Sequence, residues 1–148
     1  MLDAQPGAVL RHKETVLARA NGTFTVTGGS EQTIREAPGD VRVTRVSGTQ
    51  RFGGAIAGEG SVEWVFCYRP DRSARFVGFQ RIEGSIDGRS GSLVMESAGD
   101  HDGKQSKGRW RVVPRSGTGQ LVGISGEGSF DATGGPIVAY DLEYEFDQ

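Results

Sequence analysis

The side chains best suited to chemistry are Glu63, Tyr140 and Tyr144, with Gln80 beside them. A carboxylate enclosed among apolar groups is held toward its neutral form, which would suit Glu63 to moving a proton or polarising a substrate. Tyr140 and Tyr144 alternate with charged residues along the last β-rich run, so both point to one face. Their hydroxyls could donate to a ligand oxygen, or could belong to core aromatics whose tips reach a rim. Gln80 would orient Glu63 or hold a ligand carbonyl. The plainer alternative is a structural Glu63–Gln80 hydrogen bond.

These residues need elements that bring them together. From Asn21 onward the chain reads as short β-rich runs: Gly22–Thr27, Val41–Phe52, Gly58–Arg69, Arg75–Ile86, Ser90–His101, Ser106–Pro114, a broken run around Leu121–Phe130, and Ile137–Phe146. Gly28-Gly29 reads as a stop, and Ser30–Asp40 as a loop holding Pro38-Gly39. No helical period competes. The 24 glycines fall singly or in pairs between the runs, as turn and bulge residues do. Asp87-Gly88 and Asp102-Gly103 read as two-residue hairpin turns. The expected fold is all-β: one closed or nearly closed eight-stranded antiparallel barrel over residues 20–148, preceded by an N-terminal extension over residues 1–19. Within that extension Met1–Gly7 reads as a tail, and Val9–Ala20 as either a strand or a short helix.

The turns imply a register. Asp87-Gly88 sets Ile82 opposite Leu93, Gln80 opposite Met95 and Gly78 opposite Ser97. Asp102-Gly103 as a two-residue turn sets Met95 opposite Trp110, Ser97 opposite Gly108 and Glu96 opposite Arg109. A turn at Pro70–Ser73 sets Glu63 opposite Gln80 and Cys67 opposite Phe76. One face then gathers Glu63, Gln80, Cys67, Phe76, Met95, Ser97 and Trp110, joined by Phe24 from the first strand and by Tyr140, Leu142 and Tyr144 from the last. Phe24, Phe76, Met95, Trp110 and Leu142 would line a ligand pocket or fill a solid core. Gly78, Gly108, Ser97 and Cys67 leave room for a cavity beside Glu63. The outer face collects Val62, Trp64, Phe66, Val77 and Phe79, which need cover.

Several classes of function fall away. Net charge is −2 with both signs interspersed, unlike the basic footprint of a nucleic-acid binder. No apolar run reaches the ~20 residues of a membrane helix. The charged N-terminus lacks a signal core and the single Cys67 excludes an internal disulfide, so a cytoplasmic protein is expected. Cys67 has no neighbouring cation to activate it. His101 between Asp100 and Asp102 is a low-specificity metal set and reads as a solvated turn, and His12 carries no signal. No metal or cofactor is implied. The glycine clusters lack a following Gly-Lys-Ser/Thr, and no serine sits in a nucleophile elbow.

Several blocks resemble one bacterial family of unknown function, number 3224. They are Glu59-Gly-Ser-Val-Glu-Trp64, Tyr68-Arg69, Phe76-Val-Gly-Phe-Gln-Arg-Ile-Glu-Gly84, Asp87-Gly-Arg-Ser-Gly-Ser92, Val113-Pro114, Gly117-Thr-Gly119 and Gly126-Glu-Gly128, spread over residues 20–147. The resemblance implies an eight-stranded barrel similar to allene oxide cyclase, and no settled activity. The family pattern often has Glu at the position of Gln80 and His at that of Ser97; here both are neutral. The expected function is binding of a small, largely apolar molecule in the lumen. The protein would act either as a cofactor-free isomerase or cyclase with Glu63 as acid or base, or as a non-catalytic carrier or structural oligomer. A homo-oligomer would form through the Trp64, Phe66 and Phe79 face.

Overall fold

A computed structural model describes residues 17–133 and 135–147. Eight strands follow one another around a closed barrel, each antiparallel to its neighbours: β1 Ala18–Ala37, β2 Val41–Gly54, β3 Ile56–Tyr68, β4 Ala74–Ile86, β5 Arg89–His101, β6 Ser106–Val112, β7 Ile124–Ala132 and β8 Ile137–Phe146. Closure comes from β1 pairing with β8, from Ala18 opposite Tyr144 to Thr25 opposite Ile137. The expected readings of residues 1–16 lie outside the described residues.

The turn chemistry explains where the expected register holds and where it fails. Asp87 and Gly88 both take positive φ, 47° and 86°, as a two-residue hairpin turn requires. Ile86 therefore faces Arg89, and Gln80 faces Met95. The turn after β5 is longer. The Asp102 carboxylate accepts the backbone N–H groups of Lys104 and Gln105, so the hairpin closes at His101 opposite Ser106. Ser97 thus faces Trp110 rather than Gly108, Met95 faces Val112, and Glu96 faces Arg111 rather than Arg109. That slip is even, so no side chain changes face.

The β3–β4 turn is the consequential one. Arg69 N–H bonds Ser73 C=O, Asp71 accepts both the N–H and the hydroxyl of Ser73, and Arg72 sits at φ 73°. The loop is Arg69–Ser73, and Tyr68 faces Ala74. The slip is odd, and an odd slip turns a strand over. Val62, Trp64, Phe66 and Tyr68 go to the inside; Ser61, Glu63, Val65 and Cys67 go to the outer wall.

Gly28 is a bulge rather than a stop. The β1–β2 register shifts between Val26 and Gly28 and again between Thr33 and Arg35, and pairing runs on to Ala37 opposite Val41. Most of the expected Ser30–Asp40 loop is therefore strand, with the turn confined to Pro38–Asp40.

Rings fill the middle of the barrel. Phe24 lies 4.9 Å from Phe52 and 6.0 Å from Phe130 between ring centres, and Trp110 lies 5.7 Å from both Phe130 and Tyr140. Glycines on the neighbouring strands make room for them. A Cβ on Gly108 would lie 2.3 Å from the Phe130 ring, and one on Gly78 would lie 2.5 Å from Trp64. The space that Gly78 and Gly108 leave is thus taken by rings.

Candidate functional site

The barrel has two unlike ends. At the first, the connections are tied down by side chains. The Tyr140 hydroxyl accepts the Ile56 N–H at 2.8 Å and donates to Gly53 C=O at 2.8 Å. The Tyr144 hydroxyl donates to the Asp87 carboxylate in the β4–β5 turn. Burial, and then that bond, push the Tyr144 phenol up to about 12; burial likewise raises Tyr140. The short β6 leaves part of the β5 edge without a strand partner, and the β6–β7 connection covers it. The N–H groups of Ser90, Ser92 and Val94 donate to side-chain oxygens of Gln120, Thr118 and Ser116. Leu121 is buried beneath that connection. Both tyrosines point inward as expected, with their hydroxyls engaged by the protein itself.

The second end is open. The β1–β2 hairpin extends past the β1–β8 contact, so among the described residues β1 from Val26 onward has a strand neighbour on one side only. Val26 faces Gln50, a buried inner residue, yet is 52% exposed. The interior wall is therefore reachable here. Trp64, Phe66 and Tyr68 follow one another on the inner face of β3, each partly buried. Phe66 stacks on Tyr68 at 5.7 Å and on Phe76 at 5.1 Å, and Trp64 lies 5.3 Å from Phe76. The Trp64 indole N–H donates to Ser97 Oγ at 2.8 Å, which fixes its plane.

Polar groups rim this aromatic wall. One Glu31 oxygen accepts from the Tyr68 hydroxyl and from Thr44 Oγ1, each at 2.7 Å. Burial, then the Glu31 bond, push the Tyr68 phenol up to about 12, while the Arg42 guanidinium lies 4.9 Å over the ring. His101 faces Ala74 across β4–β5, so it belongs to the inner rim rather than a free turn. Its Nδ1 lies 2.8 Å from Ser106 Oγ.

Glu63 does not join this site. It is exposed on the outer wall, where Arg45 Nε reaches its Oε1 at 2.9 Å. Hydrogen bonds from Ser47 and then Arg45 hold its carboxyl below the usual range, the opposite of a proton-holding buried base. Cys67 also faces outward, away from the lumen. Gln80 is inside and fully buried, as are Phe24, Phe76, Met95, Ser97, Trp110 and Leu142. The partner of Gln80 is Gln50 Oε1, 3.1 Å away, not Glu63. The expected outer cluster loses Val62, Trp64 and Phe66 to the inside. What remains outside is Val77 at 50% and Phe79 at 53% exposure, joined by Val65 at 41%. These three line a concavity of about 500 Å³ with Arg45, Glu63 and Glu96 at its edge.

Gln50, Glu31, Thr44 and Tyr68 were not singled out from the sequence. The Pro38-Gly39 turn carried the signal, since a hairpin centred there pairs the Glu31 region with Thr44. No group of three or more His, Cys, Asp or Glu among the described residues is placed to hold a metal ion. No helix among them is long and apolar enough to cross a membrane.

Fold and site together define an antiparallel eight-stranded meander barrel with a ring-packed interior, one tied end and one open, aromatic-walled end. The chain belongs to the family described as "Protein of unknown function (DUF3224)", which matches residues 20–144. A crystal structure of a protein of unknown function from that family, from Shewanella oneidensis MR-1, is similar with a TM-score of 0.78. It is 23% identical, with 90% of this chain and 99% of that chain covered, and at that identity the likeness concerns the fold. No curated protein matches.

Proposed function

We propose that the protein binds a small, largely apolar molecule at the open end of the barrel. The supporting observation is that inner-face side chains there are left uncovered: Val26 is half-exposed, and Phe66 and Tyr68 are only partly buried. Ligand sites combine such apolar walls with a few fixed polar groups, here Glu31, Thr44 and Tyr68. The deep lumen is a poorer candidate, because eight strands enclose little more than a side-chain core and rings occupy it. In a catalytic form of this reading, a cofactor-free isomerase or cyclase, the wall would hold a flexible substrate folded. The proton-handling groups would be Glu31 with Tyr68, or His101, in place of Glu63. The link to cyclases is an analogy of fold.

The test uses N-phenyl-1-naphthylamine, a neutral apolar fluorophore. It should bind with a blue-shifted emission. Val26→Arg places a long charged chain at a half-exposed mouth position and should weaken binding about tenfold or more with an unchanged melting temperature. Undiminished binding in that variant would reject the open end as the site.

The Val65, Val77 and Phe79 patch favours a second reading, self-association through the outer wall. Contiguous exposed apolar side chains on adjacent strands support it. Phe79→Glu should then lower the mass in sedimentation; an identical mass for both proteins would remove it.

A further inference from the structure

Two carboxamides sit inside the barrel with no exposed surface, Gln50 and Gln80, both 0%. A single hydrogen bond joins them, from Gln80 Nε2 to Gln50 Oε1 at 3.1 Å. Gln50 Nε2 and Gln80 Oε1 find no partner among the protein groups. Buried amide atoms are rarely left this way, because desolvation without a hydrogen bond is unfavourable. Rotating both amides by half a turn exchanges the atoms and still leaves one donor and one acceptor. The pair therefore presents a fixed complement, one donor and one acceptor, in an otherwise apolar surround of Phe52, Val62, Ile82 and Met95.

The pair lies next to the open end. Val26, the half-exposed inner residue, is the register partner of Gln50. Gln80 is two residues along β4 from Gly78, across which the Trp64 ring lies. In the register Val26 is beside Gln50, and Trp64 is one inner position along β3 from Val62, the partner of Gln80.

We propose that Gln50 and Gln80 form the head-group subsite of the ligand taken at the open end, specific for an uncharged group that both donates and accepts a hydrogen bond. This rests on the open-end reading above. A hydroxyl, a primary amide, a lactam or a protonated carboxylic acid meets the requirement. A carboxylate does not, because Gln80 Oε1 would face its negative oxygens. An ammonium does not, because Gln50 Nε2 offers it no lone pair. Arg45 and Glu63 face away, and the inner-rim Glu31, held by Tyr68 and Thr44, lies beyond the β1 bulge from Val26 and Gln50.

The experiment displaces bound N-phenyl-1-naphthylamine from the full chain with four probes of equal chain length: 1-decanol, decanamide, decylammonium and, at about pH 8 where it is ionised, decanoate. Decanol and decanamide should bind about tenfold or more tighter than the two ions. Gln50→Met and Gln80→Met remove the orphan atoms at similar volume. Each should bring the four probes to within about threefold of one another, with every displacement scaled to that variant's own fluorophore affinity. Equal affinity for neutral and charged heads in the natural protein, or a preference that survives both methionine variants, overturns the head-group assignment and leaves the open-end reading standing. Failure of the fluorophore and all four probes to bind overturns both. The natural protein alone decides the first comparison, so the test holds if a variant does not fold.

Discussion

The two ends of this barrel handle the same problem differently. Each has strand edges and chain connections that expose backbone groups. At the tied end, side chains satisfy them: Tyr140 bridges the β2–β3 connection, Tyr144 holds the β4–β5 turn, and Ser116, Thr118 and Gln120 cap the free edge of β5. At the open end, β1 beyond Thr25 has a strand neighbour on its β2 side only among the described residues, and inner-face Val26 there is half-exposed. Satisfied hydrogen bonds serve stability, and uncovered apolar wall suits the binding proposed above. Substitutions at the tied end should therefore cost folding, and substitutions at the open end should cost affinity.

The largest stability loss is expected at Tyr140. Tyr140→Phe strands the buried Ile56 N–H and gives up the bond to the exposed Gly53 C=O, and should destabilise by about 3 kcal/mol in urea unfolding. A loss below about 1 kcal/mol would show that the tie is cosmetic. Next comes Gly108→Ala, whose new methyl meets the Phe130 ring; about 2 kcal/mol is expected from overpacking, read in the same titration. Thr118→Val removes the acceptor for Ser92 N–H and should cost about 1 kcal/mol. At the other extreme, Glu63→Gln breaks only an exposed ion pair and should change stability by less than about 0.5 kcal/mol.

Alkaline titration touches both ends. Tyr144 and Tyr68 are each raised from 10.0 to about 12. A phenol whose folded value is raised stabilises the fold while it stays protonated. That contribution is complete below about pH 10 and lost as pH climbs toward about 12. The melting temperature should fall across that window, and Tyr144→Phe should flatten the fall. An unchanged slope in the variant would remove Tyr144 from the tie.

Much of the architecture was legible in the sequence because it rests on local chemistry. The Asp87-Gly88 turn gave the β4–β5 register, and alternation gave the inward faces of Phe24, Tyr140, Leu142 and Tyr144. The site was less legible because it rests on parity. Asp71 and Ser73 lengthen the β3–β4 turn by one residue relative to the expected one, and that single residue moves Glu63 and Cys67 outside and brings Trp64 and Phe66 inside. Nothing in the β3 pattern itself corrects this, since Val62, Val65, Trp64 and Phe66 put apolar groups on both faces. The glycines misled in a related way. Gly78 and Gly108 read as empty space, whereas rings from adjacent strands fill them. Gly28 hid the Glu31–Thr44–Tyr68 cluster by reading as the end of a strand that continues through a bulge.

Hydrogen exchange with and without bound N-phenyl-1-naphthylamine tests the division of labour between the ends most directly. Added protection is expected in β1 and β2 around the mouth, residues 26–37 and 41–50, with no change at residues 86–89 of the tied end. Protection that appears at 86–89 and spares the β1–β2 hairpin would contradict the assignment of the open end as the binding end.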